Sequence, residues 1–211
     1  SLYFYRNTNL HNMTHLKAGD KAPDFSALDQ EGNSIKLNDY KGKKLVIFFY
    51  PKASTPGCTA EACNLNDNYD RFKTQGYEIL GVSADSAKRQ ANFKNKYGFQ
   101  YPLLADEDKA VIEAFGVWGP KKFMGKEYDG IHRTTFIIDE NGVLEDVITK
   151  VKTKAHTDQI LKGIVFKVQL SASTKKIDLK DLIRVWRSNQ SHRTDDQAPA
   201  VTPPLQTGTD E

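Results

Sequence analysis

Apolar residues along this chain fall into two main spacings, and each spacing predicts a different element. Residues 44–50 (KLVIFFY) and 77–83 (YEILGVS) are short, nearly unbroken apolar runs rich in β-branched and aromatic residues. Runs of that length and content predict strands buried on both faces. From Thr59 to Lys73 the apolar positions Ala62, Leu65, Tyr69 and Phe72 recur at helical spacing, and Gly76 follows as a stop. Ser86 to Tyr97 predicts a second helix closed by Gly98. Phe25–Leu28 and Ser34–Leu37 flank DQEGN and predict a hairpin. YPLLAD reads as an extended segment and Lys109–Phe115 as a short helix. Residues 133–139 (RTTFIID) and 143–151 (VLEDVITKV) surround ENG and predict an antiparallel pair, with Lys154–Leu161 as a closing helix.

The order βαβα followed by ββα describes an α/β domain of the thioredoxin-like kind, with a mixed central sheet flanked by helices and an N-terminal hairpin. The domain is expected over residues 13–163. Residues 1–12 read as a flexible upstream extension, and residues 164–211 as a C-terminal extension with one short amphipathic helix at 177–187. From Ser188 the chain is rich in Ser, Thr, Pro, Asp and Gln and predicts disorder. Composition then narrows the function classes. With 38% apolar and 27% charged residues and a net charge of +3 spread among both signs, the chain has no basic patch suited to nucleic acid. The longest apolar stretch, Leu45–Tyr50, is too short for a membrane span, and no leader pattern opens the sequence. Two cysteines in 211 residues are not a disulfide scaffold. The expectation is a cytoplasmic protein with reduced thiols.

Both cysteines, Cys58 and Cys63, lie in PKASTPGCTAEAC, residues 51–63. Cys58 falls at the junction of a strand and the first turn of a helix, where free N–H groups and the helix dipole favour an anion. A helix end contributes about 0.3–1 kcal/mol, up to about 2 when partly buried, and one pKa unit requires about 1.4 kcal/mol. The helix alone therefore does not acidify a thiol by two units. Thr55 is expected to add a hydroxyl hydrogen bond and a nearby arginine the remainder, while Pro51 and Pro56 stiffen the loop and Gly57 lets its backbone approach the sulfur. Five residues along an intact helix separate two Cα atoms by about 8–9 Å on different faces, whereas a disulfide requires less than about 7 Å. The two thiols can pair only if the first turns unwind. The spacing is also wrong for a C-x-x-C exchanger. Zinc needs about four ligands, and His11, His15, His132, His156 and His192 form no cluster along the sequence. No metal is expected.

The stretch from Pro51 through Thr55 to Cys58 has the P-x-x-x-T-x-x-C pattern of peroxiredoxins. With FFYPKASTPGCTAEACNLND and FGVWGPKKFMGKEYDGIHRTTFIIDENG, the chain resembles the bacterioferritin comigratory protein group, also called peroxiredoxin Q, over about Leu16–Leu161. The resemblance implies a thioredoxin-fold, thiol-dependent peroxidase acting on hydrogen peroxide and organic hydroperoxides without metal, haem or flavin. It implies Cys58 as the peroxidatic residue, Thr55 and Arg133 as its partners, Pro51 as a shield, and Cys63 as the resolving cysteine of an intramolecular disulfide recycled by a thioredoxin-like reductant. Arg133 opens a strand that can carry its guanidinium to the sulfur. Glu61 ties Arg133, caps the helix start, or sits on a solvated face. Trp118, Phe123, Met124 and Tyr128 wall the entrance or anchor a loop. A monomer or weak dimer is expected. Two other readings stand beside the enzyme: a redox-sensing or chaperone module switched by the Cys58–Cys63 disulfide, with 177–187 as its contact, and a thiol–disulfide exchanger.

Overall fold

The computed structural model describes residues 14–123 and 125–174, with the backbone alone at Phe123, 166–168 and 170–174. The expectations for residues 1–12, the helix at 177–187, the tail from Ser188 and Met124 lie outside the described residues.

The apolar runs build the centre of a five-stranded sheet in the order β5-β4-β3-β8-β9. β3 (Lys44–Phe49) pairs in parallel with β4 (Tyr77–Ser83) and antiparallel with β8 (Thr134–Ile138). β4 is parallel to β5 (Leu103–Ala105), and β8 antiparallel to β9 (Leu144–Ile148). A middle strand has no solvent face, so β3 and β4 carry apolar residues at nearly every position rather than alternating. Leu45, Ile47 and Phe49 point to one layer with Leu80, Val82, Phe115, Phe136 and Ile138. Phe48 and Tyr50 point to the other, where their rings meet Tyr101 and Phe93. Gly81 sits opposite Phe48, and a Cβ there would lie 2.9 Å from the Phe48 ring and 2.7 Å from Leu103. The glycine makes room for that ring.

The expected hairpin is present as β1 (Ser26–Leu28) and β2 (Ser34–Lys36). The helix expected over Thr59–Lys73 is two helices, α1 (Pro56–Asp67) and α2 (Tyr69–Thr74). The break is at Asn68. Its side-chain amide donates to the Asn64 carbonyl at 2.8 Å, the acceptor its own backbone N–H would use in a continuous helix. That N–H turns instead to the Asn66 carbonyl. Asparagine competing with its own backbone is a known cause of such interruptions. α3 (Ala87–Tyr97) is capped by Ser86 and closed by Gly98 in the left-handed region, φ 66°. α4 is Ala110–Ala114.

Two elements depart further from expectation. β6 (Trp118–Phe123) and β7 (Lys126–Ile131) form a separate antiparallel pair. Their sequences, WGPKKF and KEYDGI, carry no apolar alternation because β7 is largely exposed. The closing helix α5 runs His156–Thr174, thirteen residues beyond the expected Leu161. Ile160, Leu161, Ile164, Val165 and Val168 keep helical spacing through Gly163, and one interior glycine costs only about 1 kcal/mol. Residues up to Gly163 group as one compact unit, and those from Ile164 as another. No helix among the described residues is long and apolar enough to cross a membrane.

Candidate active site

β3 delivers the chain to the edge of the sheet where α1 begins. Between them, residues 51–55 form a short loop with Ser54 in the left-handed region, φ 62°. A non-glycine residue there needs support. The support is buried and polar: Ala53 N–H donates to Asp85 Oδ2 at 2.6 Å, and Ser83 Oγ donates to the same oxygen at 2.8 Å. Gln90 holds Ser83 Oγ at 2.9 Å and the Leu104 carbonyl at 2.7 Å, and Tyr50 donates its hydroxyl to Gln90. Pro56 opens α1, where its lack of an N–H costs nothing.

Cys58 is the third residue of α1 and is only 1% exposed. Cys63 lies five residues along the same helix, about one and a half turns, half-buried, and both thiols are free. Cys58 shares the buried stripe of α1 with Ala62 and Leu65 while Cys63 lies off it, as the helical arithmetic requires. Arg133 reaches the sulfur from across the sheet. It sits in the link between β7 and β8 rather than opening the strand, because pairing begins with Thr134 opposite Phe49, the last residue of β3. That register leaves Arg133 just beyond the end of β3. Its Nη2 donates to Cys58 Sγ at 3.2 Å, and its Nη1 donates to Glu61 Oε2. A Cβ on Gly57 would come to 3.4 Å from Nη2, an ordinary contact, so Gly57 borders the guanidinium without being required by it.

Glu61 is fully buried, and its second oxygen, Oε1, has no hydrogen-bond partner among the described residues. The nearest group is His156 Nε2, 3.7 Å away on α5. His156 Nε2 lies 2.7 Å from Thr135 Oγ1, and Nδ1 lies 3.1 Å from Gln159 Oε1. An amide oxygen only accepts, so Nδ1 carries the proton and Nε2 accepts from the threonine hydroxyl. The imidazole therefore has no hydrogen to offer Glu61. Burial pushes Glu61 up to about 7, against the pull of Arg133. Burial likewise pushes His156 down to about 4, with Arg133 adding to the shift. Burial acts against the Arg133 cation too, but Glu61 and Cys58 outweigh it and hold its proton more firmly. Cys63 is pushed up by burial and by Asp67. One cation thus lies between a sulfur and a carboxyl that both compete for it.

Residues 18–147 match the AhpC/TSA family. Over 149 residues the chain is 50% identical to "Peroxiredoxin Bcp" of Escherichia coli K12, covering 71% of this chain and 96% of that protein. The chain belongs to this family: it is a peroxiredoxin, a thiol-dependent peroxidase. Solved structures agree. One concerns the alkyl peroxide reduction activity of the Xanthomonas campestris bacterioferritin comigratory protein, with TM-score 0.64, 39% identity, and 68% of this chain matched to 90% of that one. Another, BcpB of Mycobacterium tuberculosis, gives TM-score 0.63, 37% identity, and coverage of 71% and 96%.

Within this peroxiredoxin the expected residues divide. Cys58, Arg133, Glu61 and Gly57 come together. Thr55 does not bond the sulfur as expected. As the extended N-cap residue, with φ −88° and ψ 154°, it donates its hydroxyl to the Lys52 carbonyl at 2.9 Å and fastens the loop instead. Pro51 is half-buried at the loop's start. Trp118 packs against the sheet core with Lys109 Nζ 5.1 Å over its ring, and Tyr128 is exposed. Three participants escaped the sequence reading. His156, which appeared to cluster with nothing, stands behind Glu61. Asp85 holds the loop. Lys121, whose ammonium donates to the Ile131 carbonyl at 3.0 Å, lies near enough to Arg133 and Cys58 to feel both charges. Only Lys121 left a signal, by standing inside the GPKKF motif.

Proposed function

We propose that Cys58 is the peroxidatic residue, Arg133 its charge partner and Cys63 the resolving thiol, recycled by a thioredoxin-like protein. The observation that carries the reading is the two-way donation of Arg133, to Cys58 Sγ and to Glu61, at the buried start of a helix. Such donors are oriented before reaction and stabilise charge where it develops. The Cys58 thiolate attacks the terminal oxygen of a hydroperoxide; an S–O bond forms as the O–O bond breaks. The departing alkoxide or hydroxide takes a proton from solvent, and Cys58 is left as a sulfenic acid. The first turns of α1 then unwind. Cys63, held as a thiol by burial and Asp67 in the folded helix, ionises on exposure and attacks the sulfenic sulfur. A disulfide forms and water leaves. A reductant dithiol then exchanges with that disulfide and restores both thiols.

The test is mass spectrometry after one equivalent of hydrogen peroxide, with turnover coupled to thioredoxin. A Cys58–Cys63 bridge and peroxide-dependent turnover are expected. Normal turnover in Cys58→Ser would refute the assignment. In Cys63→Ser the first oxidation continues while recycling fails.

A further inference from the structure

Resolution through Cys63 requires α1 to unwind, and the structure bears on where the unwinding stops. Up to Cys63 the polar holding of the helix centres on Arg133, whose contact with Cys58 changes when that sulfur is oxidised. Among the described residues Thr59 makes no side-chain hydrogen bond, Tyr101 donates its hydroxyl to the Ala62 carbonyl at 2.8 Å, and Glu61 is bound by Arg133 but leaves one buried oxygen unpaired. From Asn64 onward the holding changes. Asn64 Oδ1 accepts the Thr157 backbone N–H at 2.8 Å, its carbonyl accepts the Thr157 hydroxyl at 2.9 Å, and its Nδ2 donates to the Lys154 carbonyl at 3.2 Å. The Asn64 carbonyl also takes the Asn68 side chain at 2.8 Å. Asn66 Oδ1 accepts the Gln100 backbone N–H at 2.9 Å, and Leu65 is fully buried. Thr157 is the second residue of α5, so its N–H is one of the donors that a helix start leaves unpaired. Asn64 caps α5 from a different helix.

We infer that Asn64 is a positioning residue: it pins α1 to the start of α5, stops unwinding at Cys63, and thereby holds the resolving thiol where the Cys58 sulfenic acid can meet it. The inference rests on the Cys58–Cys63 reading. Without the pin, unwinding runs on toward Asp67, and Cys63 loses the fixed anchor directly behind it, although the four residues between the sulfurs stay the same. Holding reactants in place is a large part of the rate of an intramolecular step, and an unanchored Cys63 samples more orientations relative to the sulfenic sulfur. Asn64 touches neither sulfur, and its removal leaves the first oxidation alone.

The experiment separates the two steps in Asn64→Ala by rapid mixing with hydrogen peroxide, followed by quenching and mass spectrometry. Disulfide formation is expected to slow by roughly tenfold, the effect of losing two side-chain hydrogen bonds. Formation of the sulfenic acid should stay within about twofold of wild type, a margin too small for a lost hydrogen bond. The sulfinic acid should accumulate at lower peroxide. Asn64→Asp, which keeps the acceptor for Thr157 N–H but loses the donor to the Lys154 carbonyl, should restore only part of the rate. Thr157→Val, which removes only the hydroxyl, should slow the same step by less. Unchanged or faster disulfide formation in Asn64→Ala, or equal slowing of both steps, would overturn the inference. If wild type forms no Cys58–Cys63 disulfide, the resolving role of Cys63 fails first, and the pin with it.

Discussion

The apolar side of the sheet around Phe49 and the first turns of α1 around Glu61 are both closed to solvent, but they are filled with different material. Around Phe49 the rings of Phe115 and Phe136 stand at 5.1 and 5.7 Å between centroids, with no polar atom to satisfy. Around Glu61 the interior holds a carboxyl, a guanidinium, a thiol and an imidazole, with one carboxyl oxygen unpaired. Apolar burial gains from every contact and is indifferent to pH and redox state. Burial of ionisable groups is balanced against desolvation and changes whenever one member changes charge. The first region gives the domain its stability, and the second sets a thiol on the same guanidinium that holds a buried carboxyl.

The comparison can be tested at several depths. The largest effect belongs to Cys58→Ser, which should abolish peroxide turnover while leaving the thermal unfolding midpoint close to wild type. Phe49→Ala should do the reverse. Removing a buried ring costs about 3–5 kcal/mol, seen in denaturant unfolding, and the pH profile of stability should keep its shape. Arg133→Met should slow oxidation of Cys58 by roughly 10–100-fold, the worth of hydrogen bonds to a charged group, measured as the second-order rate with hydrogen peroxide. Such a rate near wild type would mean that the guanidinium contact is incidental.

The smallest effect is the most discriminating. Glu61 in the folded protein titrates near 7, above its ordinary value of 4.5. The folded state therefore binds its proton more tightly than the unfolded chain, and its contribution to stability falls as pH rises between those values. His156 is shifted from 6.5 to about 4. The unfolded chain binds that proton more tightly, so its contribution rises with pH over that window. The two slopes oppose each other in wild type. Measured as a difference from wild type across pH 4–7 by denaturant unfolding, Glu61→Gln should gain in relative stability as pH rises and His156→Leu should lose. The same sign in both would show that the pair is not built as described.

Legibility in the sequence followed the source of each element's stability. β3, β4 and α3 were readable because their apolar positions and stop signals are local. The β6–β7 pair was not, because it lies outside the central sheet and carries little apolar pattern. The break at Asn68 depends on a side chain competing for one carbonyl, which periodicity does not register. The site divided in the same way. Cys58 and its loop announced themselves through residue types packed into eight positions, and Glu61 through its offset of three residues. His156, Asp85 and Asn64 carry no local mark, since each acts on a residue 32 or more positions away.

By itself, the order of residues determined that a cysteine sulfur would stand at a strand–helix junction, and that its neighbour five residues on could not reach it through an intact helix. Those facts follow from backbone geometry and the period of the helix. Only the tertiary structure decided which cation meets the sulfur, that Thr55 donates its hydroxyl to the Lys52 carbonyl, and that α5 supplies both the imidazole behind Glu61 and the anchor beside Cys63. These contacts join separate segments, and their energies depend on desolvation and distance, quantities that exist only once the chain has closed on itself.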